Sequence, residues 1–223
     1  MKVAAIYTST TPELIQMVND QLNKQFASED LTIMSYQDPS ILQEARDNGK
    51  LTAGCARRLM DLYEKAVADG AQILFNICSS VGDAAKLAKP LYELSGIKFV
   101  RIDEEMAFAA VRAADRIGIV ATLQTTLQPT ARLVQDCASA LGKEIVIVDA
   151  LAEGAFGLNQ EQFKEMLINT GAKVKDQVDV LLFAQGSMAY AEEEVSAALQ
   201  IPVFSSVRFG AAAVKAASAS MNE

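Results

Sequence analysis

One cysteine in this chain occupies a position suited to proton chemistry. Cys78 lies in ILFNICSSV, where an apolar run that predicts a buried strand gives way to two serines and a glycine that open a helical pattern. A thiol at the amino end of a helix faces the positive end of the helix dipole, which can lower its pKa from about 8.5 to about 3.5–7.5. We therefore predict that Cys78 is an acid/base or nucleophile near neutral pH, the alternative being a small buried apolar side chain.

The same motif recurs later in the chain with a different side chain at the key position. VLLFAQGSM starts at residue 180, 107 positions after ILFNICSSV at residue 73, and the two align without a gap. Ser187 matches Ser80, but Gln185 stands where the first motif has Cys78. A carboxamide does not exchange protons usefully near pH 7, so any proton transfer by this chain is expected to depend on one thiol.

Hydroxyl and amide side chains are concentrated in the turns that follow the apolar runs. KVAAIYTSTT (2–11) aligns with RIGIVATLQT (116–125), so that threonines follow both runs. Such side chains, with the free N–H groups of helix starts, can hold a carboxylate, although each alone is also a good helix cap. The predicted site consists of Cys78 and Gln185 as catalytic residues and of Thr8, Asn76, Ser79, Ser80, Thr122, Thr125, Thr126 and Ser187 as substrate-binding residues.

The elements that position these turns follow an α/β pattern. Eight short apolar runs, KVAAIY, LTIMSY, AQILFNI, IKFVRI, RIGIVA, EIVIVDA, DVLLFA and IPVFSS, alternate with amphipathic stretches, which predicts parallel sheets covered by helices. The repeat predicts two such domains, 1–102 plus 207–223 and 103–206, with the Ala-rich last helix returning to the first. Since ligands bind at the carboxyl ends of parallel strands, we expect the four turns to converge on one cleft.

Composition excludes several classes of function. Histidine is absent from the 223 residues, which removes Ser-His-Asp and Cys-His systems and His-ligated metals. The formal charge of -8 disfavours nucleic acid or an anionic membrane as partner, and three cysteines without a CxxC pair disfavour disulfides or a zinc site. No apolar run approaches the ~18 residues of a membrane span, and MKVAAIYTST lacks a signal peptide's apolar stretch, so we predict a cytoplasmic protein.

Charged residues also occur near the predicted strand ends. Acidic residues 103–105 could cap the helix EEMAFAAVRAA or face the cleft, and capping is favoured because carboxylates prefer the first turn of a helix. Acidic residues 192–194 are predicted to form a solvated helix face. Arg101 and Arg208 flank strand ends and could help to hold an anion.

A Thr/Ser-rich loop such as YTSTTPEL also binds the phosphate of FMN in flavodoxin-like proteins. This alternative is disfavoured because the loop has no glycine and the chain has no tryptophan and few aromatic residues to stack a flavin. No GxxxxGK[ST] or GxGxxG motif follows a strand, so a nucleotide site has no support.

Taken together, these motifs resemble the aspartate/glutamate/hydantoin racemase superfamily. The resemblance covers most of the chain and is carried by NICSS, RIDEEMAFAAV, GIVATLQTTLQPT and VLLFAQGSMA followed by IPVFSS. It implies two α/β domains related by a pseudo-twofold axis, a small carboxylate-bearing substrate held between them, and proton transfer without pyridoxal phosphate, metal or other cofactor. Usual members carry one cysteine in each half, on opposite faces of the substrate carbon; Cys78 matches the first and Gln185 replaces the second.

Three functions are consistent with this replacement. The first is racemase-like proton transfer at the carbon beside a carboxylate, with Cys78 as acid/base. The second is a single-cysteine decarboxylase or isomerase, as related decarboxylases in the superfamily resemble single-cysteine versions of the site. The third is a carboxylate-binding protein without turnover. Because symmetric dimers are the commonest soluble homo-oligomers, a homo-oligomer is also expected.

Overall fold

The computed structural model describes residues 1–8, 10–155 and 158–221. Ser9, in the first predicted turn, and the last two residues of the predicted first domain lie outside the described residues. The chain forms two compact units, one from residues 1–102 and 207–223 and the other from residues 103–206. Each unit contains one four-stranded parallel sheet.

The first unit has the sheet order β2-β1-β3-β4. Its strands are β1 (Lys2–Tyr7), β2 (Thr32–Gln37), β3 (Ile73–Asn76) and β4 (Lys98–Arg101), and its helices are α1 (Pro12–Gln25), α2 (Pro39–Asp47), α3 (Ala53–Ala68) and α4 (Gly82–Leu94). Side-chain caps fix where helices begin. The Thr11 hydroxyl accepts a hydrogen bond from Leu14 N at the start of α1, and Thr52 does the same for Cys55 N at the start of α3.

The second unit has the matching order β6-β5-β7-β8. Its helices are α5 (Glu104–Ala113), α6 (Gln124–Ala140), α7 (Gln160–Ala172) and α8 (Glu192–Leu199), and its strands are β5 (Arg116–Ala121), β6 (Val146–Leu151), β7 (Val180–Phe183) and β8 (Val203–Ser205). The last helix, α9 (Ser206–Ala219), follows β8 and belongs to the first unit from residue 207 onward. Each of the eight predicted apolar runs coincides with one of these strands to within a residue or two at its ends, which confirms the α/β class.

The two sheets follow one plan at the spacing of the sequence repeat. β5 begins at Arg116, 114 residues after β1 begins at Lys2, and β7 begins at Val180, 107 residues after β3 begins at Ile73. Both β3 and β7 are followed, after two residues, by a 3₁₀ turn and then a helix. The residues at positions 78 and 185 therefore occupy equivalent places in the two units.

Helices cover both faces of the first sheet. Leu74 lies in a buried cluster with side chains of α2, α3 and α4. Its neighbour Phe75 points to the opposite face, because side chains alternate along a strand. There Gly210 of α9 approaches so closely that a Cβ would lie 2.9 Å from Phe75 Cζ and from the carbonyl oxygen of Ile102. This contact seats the last helix against the end of β4.

In the second unit, α7 and α8 bury one face of the sheet. Val120, Leu181 and Phe183 pack there with Leu167 of α7 and Val195 of α8. On the other side of the sheet, α5 contacts β7 and packs against α6. Both units thus hold their strands rigidly, which fixes the positions where the following turns begin.

Two predictions about acidic residues hold only in part. Acidic residues 104–105 lie in the first turn of α5 and residues 193–194 are exposed, as predicted. Asp103 precedes α5 but makes no capping hydrogen bond, because its φ of -98° and ψ of -13° are helical rather than extended; its side chain is buried. Glu192 does not belong to a solvated face, because its carboxylate is half-buried and accepts hydrogen bonds from the backbone N–H and the hydroxyl of Ser205. It ties the start of α8 to the end of β8.

Candidate functional site

The Cys78 turn lies at the carboxyl edge of the first sheet. β3 ends at Asn76, Cys78 adopts an extended backbone (φ -159°, ψ 111°), and the 3₁₀ turn Ser79–Val81 leads directly into α4. The Cys78 side chain is partly exposed, whereas Cys55 and Cys137 are buried within helices. Of the three thiols, only that of Cys78 combines partial exposure with a place ahead of a helix start.

Asn76, the last residue of β3, stabilises the backbone of this turn. Its side chain is buried, its Oδ1 accepts a hydrogen bond of 2.8 Å from the Tyr63 hydroxyl, and its Nδ2 donates one of 3.2 Å to the carbonyl oxygen of Cys78. A buried carboxamide bonded at both ends has one orientation, so the backbone of Cys78 is held in place.

Tyr63 stays a hydrogen-bond donor across the neutral pH range. Burial raises the pKa of its phenol well above the ordinary value of 10.0, and the negative charge of a Cys78 thiolate raises it further, while the positive charge of Arg101 acts in the opposite direction. Its ring packs edge-on against Phe99, with ring centres 5.1 Å apart. Sequence reasoning did not identify this residue, because in the pattern of α3 it reads as a core position.

Replacing Tyr63 by phenylalanine is expected to lower the free energy of unfolding by about 1–3 kcal/mol, because Asn76 Oδ1 becomes a buried acceptor without a donor. Turnover should fall as well, since the Cys78 turn loses its brace. Tyr92→Phe is the matched control: Tyr92 packs on Tyr63, but its hydroxyl bonds Glu64, away from Asn76. Urea unfolding of both variants measures the difference, and equal losses of stability and activity would contradict the bracing role.

Arg101 lies beside the same turn. It ends β4, opposite Asn76 in the strand register, and is buried. Its guanidinium lies against the first residue of α4, where a side chain in place of Gly82 would collide with Nη2. A side chain at position 82 would have to displace the end of the Arg101 side chain, so glycine allows a positive charge to approach the helix start that follows Cys78.

The hydroxyls predicted for the first unit lie at the same edge. Thr8 directly follows β1, is fully buried, and its Oγ1 has no hydrogen-bond partner among the described residues; the same holds for the neighbouring hydroxyl of Tyr7. Buried polar atoms are nearly always hydrogen-bonded, so an orphan hydroxyl at this edge suits a ligand oxygen. Ser79 is buried and Ser80 half-buried in the 3₁₀ turn.

Gln185 occupies the equivalent turn of the second unit. Its backbone is also extended (φ -123°, ψ 130°), and a 3₁₀ turn and α8 follow it. Its Oε1 accepts a hydrogen bond of 2.7 Å from the backbone N–H of Thr122, and its Nε2 donates one of 2.7 Å to the Thr122 hydroxyl. The carboxamide thus links the ends of β5 and β7 and is fixed in orientation.

The other residues predicted for the second unit lie near this link. Thr125 and Thr126 are in the first turn of α6, where Thr126 is buried and the Thr125 hydroxyl is a buried atom without a hydrogen-bond partner in the described part of the chain. Ser187 is half-buried in the 3₁₀ turn after Gln185. The structure therefore brings the predicted residues together in two sets, five in each unit; their action on one substrate stays a prediction.

Two kinds of feature are absent from the residues that the structure describes. Across 1–8, 10–155 and 158–221, no group of three or more Cys, Asp and Glu side chains is arranged to hold a metal ion. Over the same residues, no helix combines the length and apolar character needed to cross a bilayer.

Fold and site define a two-unit α/β protein with a single partly exposed thiol and a carboxamide in equivalent turns. Residues 3–214 match the Asp/Glu/Hydantoin racemase family model, so the chain belongs to this family. No curated protein sequence matches the chain.

Solved structures of racemases share the fold. An allantoin racemase from Klebsiella pneumoniae is 19% identical over 98% of this chain and 88% of its own, with a TM-score of 0.67. A glutamate racemase from Bacillus anthracis is 12% identical over 97% of this chain and 80% of its own (TM-score 0.72). An aspartate racemase from Picrophilus torridus is 15% identical over 98% of this chain and 95% of its own, with a TM-score of 0.69. At identities this low, the similarity to these structures shows a shared fold alone.

Proposed function

We propose that this protein is a cofactor-independent, isomerase-type enzyme that transfers a proton at the carbon beside a carboxylate of a small acidic substrate, with Cys78 as the acid/base. The observation that carries the proposal is the placement of the Cys78 thiol, partly exposed and immediately ahead of the 3₁₀ turn and α4. Family membership supports the class of chemistry.

The surroundings of Cys78 favour the thiolate. The amino end of α4, reached through the 3₁₀ turn Ser79–Val81, presents the positive end of the helix dipole, which stabilises an anion. Arg101 brings a permanent positive charge to the same helix start. Because the chain has no histidine, the thiol itself carries the proton to and from the substrate.

Gln185 is proposed to bind rather than to exchange protons. Its Nε2 has two hydrogens, one of which goes to the Thr122 hydroxyl, and the second is suited to a carboxylate or developing oxyanion of the substrate. A carboxamide held by Thr122 supplies no second base. The chemistry is therefore one-sided, with the proton added or removed on the face that meets Cys78.

The carboxylate is proposed to be held by hydroxyls and by helix-start N–H groups. The orphan hydroxyls of Thr8 and Thr125 support this, because each is a buried donor suited to a ligand acceptor. The remaining proposed binding residues are Asn76, Ser79, Ser80, Thr122, Thr126 and Ser187, with Asn76 acting mainly through its bond to Cys78.

A single-thiol decarboxylation or double-bond isomerisation is the second candidate. It is favoured by the fixed carboxamide at Gln185, since these reactions need a proton on one face only. In decarboxylation, the electron pair of the broken C–C bond takes its proton from the Cys78 thiol as CO₂ leaves. Product identity separates the two candidates.

The test is a panel of acidic amino acids, hydroxy acids and dicarboxylates incubated with the protein in D₂O without added cofactor and followed by NMR. We expect deuterium to enter the carbon beside the carboxylate of at least one substrate or its product. Binding without any exchange, seen as ligand-dependent thermal stabilisation that survives Cys78→Ser, would instead identify a carboxylate-binding protein and overturn the proposal.

A further inference from the structure

A cavity with a polar lining lies in the second unit, beside helix α7 and the end of β6. Its volume is about 360 Å³, which is within the size range of small-molecule sites. The residues that α7 contributes recur at intervals of three or four, so they lie on one face of the helix. Leu151 and Glu153 supply the rest of the lining. None of the ten residues proposed for the substrate site, all of which the structure describes, lines this cavity.

The cavity holds charges of both signs that are not paired with each other. The side chains of Glu153, Glu165 and Lys173 make no ion pair or hydrogen bond with any residue that the structure describes. The adjacent face of the same helix behaves differently, because there Lys164 pairs with Glu194 of α8 at 2.7 Å. The charged groups in the cavity therefore remain available to a ligand.

Thr170 adds a hydrogen-bonding group at a buried point of the lining. The residue is only 5% exposed, yet its hydroxyl has no hydrogen-bond partner within the described part of the chain. A helical threonine can bond the carbonyl oxygen four residues earlier, as Thr130 does with Thr126 at 2.9 Å. Because buried polar groups are nearly always hydrogen-bonded, a hydroxyl that lines a cavity without such a bond suits a ligand.

The charges define the class of ligand. A ligand with only negative charge would meet Glu153 and Glu165, and one with only positive charge would meet Lys173. An apolar ligand would take all three charged groups out of water without compensation. A ligand with one positive and one negative group satisfies both signs. Since Glu165 and Lys173 are eight residues apart, about 12 Å along the helix, the two groups belong at opposite ends of the ligand.

We propose that this cavity binds a small zwitterion of the amino-acid class. Its ammonium group lies at Glu153 and Glu165, and its carboxylate lies at Lys173 and the hydroxyl of Thr170. Asn169, between Glu165 and Lys173 on the same face of α7, can donate to or accept from either end. No step of the proposed proton transfer uses this site, so the cavity is a second binding site of the second unit.

Calorimetric titration at 0.15 M salt tests the class of ligand. The probes 4-aminobutyrate and 6-aminohexanoate carry both charges at the ends of spacers of different length, whereas butylamine and butyrate carry one charge each. We expect at least one of the two zwitterions to bind at least tenfold more tightly than either single-charge compound, because only a zwitterion pairs with both ends of the cavity. The absence of binding by both zwitterions, or equal affinities for all four compounds, would overturn the proposal.

Charge reversal at Lys173 locates the binding. Lys173→Glu should weaken the zwitterion at least tenfold and strengthen butylamine, and Thr170→Val should weaken the zwitterion severalfold. Lys175→Glu is the matched control, because it makes the same change of charge in the following 3₁₀ turn, outside the lining, and should leave the affinity unchanged. Circular dichroism confirms that each variant folds. Equal losses in the two lysine variants would contradict the proposed contact.

Two further measurements separate this site from the substrate site. Cys78→Ser should bind the zwitterion as the wild type does, and Lys173→Glu should exchange deuterium into the substrate of the Cys78 site at the wild-type rate. Loss of zwitterion binding in Cys78→Ser would place the ligand at the Cys78 turn and overturn the proposal. The second site and the proposed proton transfer can therefore each fail without the other.

Discussion

Replacing Cys78 by alanine is expected to lower kcat/KM for proton transfer by a factor of about 10²–10⁴, the usual contribution of a positioned acid/base. The loss is chemical rather than structural, because the side chain is only partly buried and its removal should change the free energy of unfolding by about 1 kcal/mol or less. Deuterium uptake by the active substrate, followed by NMR, measures the rate.

Cys137→Ala is the matched control for this experiment. Cys137 is buried in α6 of the second unit and is not one of the proposed site residues. It should lower stability more than Cys78→Ala while leaving turnover near that of the wild type. Turnover that survives Cys78→Ala, or falls equally in both variants, would remove Cys78 from the mechanism.

The second large effect is expected from Gln185→Cys, which should give the protein a racemase activity that the proposed one-thiol mechanism does not provide. The extended backbone at Gln185 resembles that at Cys78, so a cysteine can adopt it and lies at an equivalent helix start. In the proposed mechanism, a second thiol would supply the second acid that inversion of the carbon requires. Chiral chromatography, starting from one pure enantiomer, measures how fast the other appears.

Gln185→Ser separates the gain of a base from the loss of the carboxamide. Both variants lose the hydrogen bonds to Thr122, but serine does not titrate near neutral pH. We expect racemisation by the cysteine variant to exceed that of the serine variant at least tenfold. Equal rates in the two would show that a missing base is not what restricts the wild type.

Local sequence pattern predicts the fold well here. β1 and β5 are short aliphatic runs that end in threonine-containing turns, and their burial on both faces gives continuous rather than alternating apolar character. The sequence repeat also anticipates the common strand order of the two sheets, because duplicated halves with the same element order pack in the same way. Of the acidic residues 103–105, the last two do lie in the first turn of α5, but Asp103 makes no cap because its backbone is not that of an N-cap.

The support around the site depends on contacts that a local pattern does not contain. Tyr63 and Asn76 meet because α3 packs on β3, and Gln185 reaches Thr122 across 63 residues because β5 and β7 are neighbours in the sheet. The turns themselves were predictable from polar residues after apolar runs. Which side chains brace the turns, and which leave a hydroxyl free for a ligand, is decided by tertiary packing.

The stereochemistry of labelling in D₂O tests the central claim, that one thiol acts on one face, most directly. Wild-type protein is incubated with its substrate, and the labelled carbon of the recovered substrate or product is analysed for deuterium content and configuration together. We predict that deuterium enters in a single configuration. The contradicting result is deuterium in both configurations in equal amounts, with the second configuration appearing as fast as deuterium exchanges into the first. That result requires a second acid/base opposite Cys78.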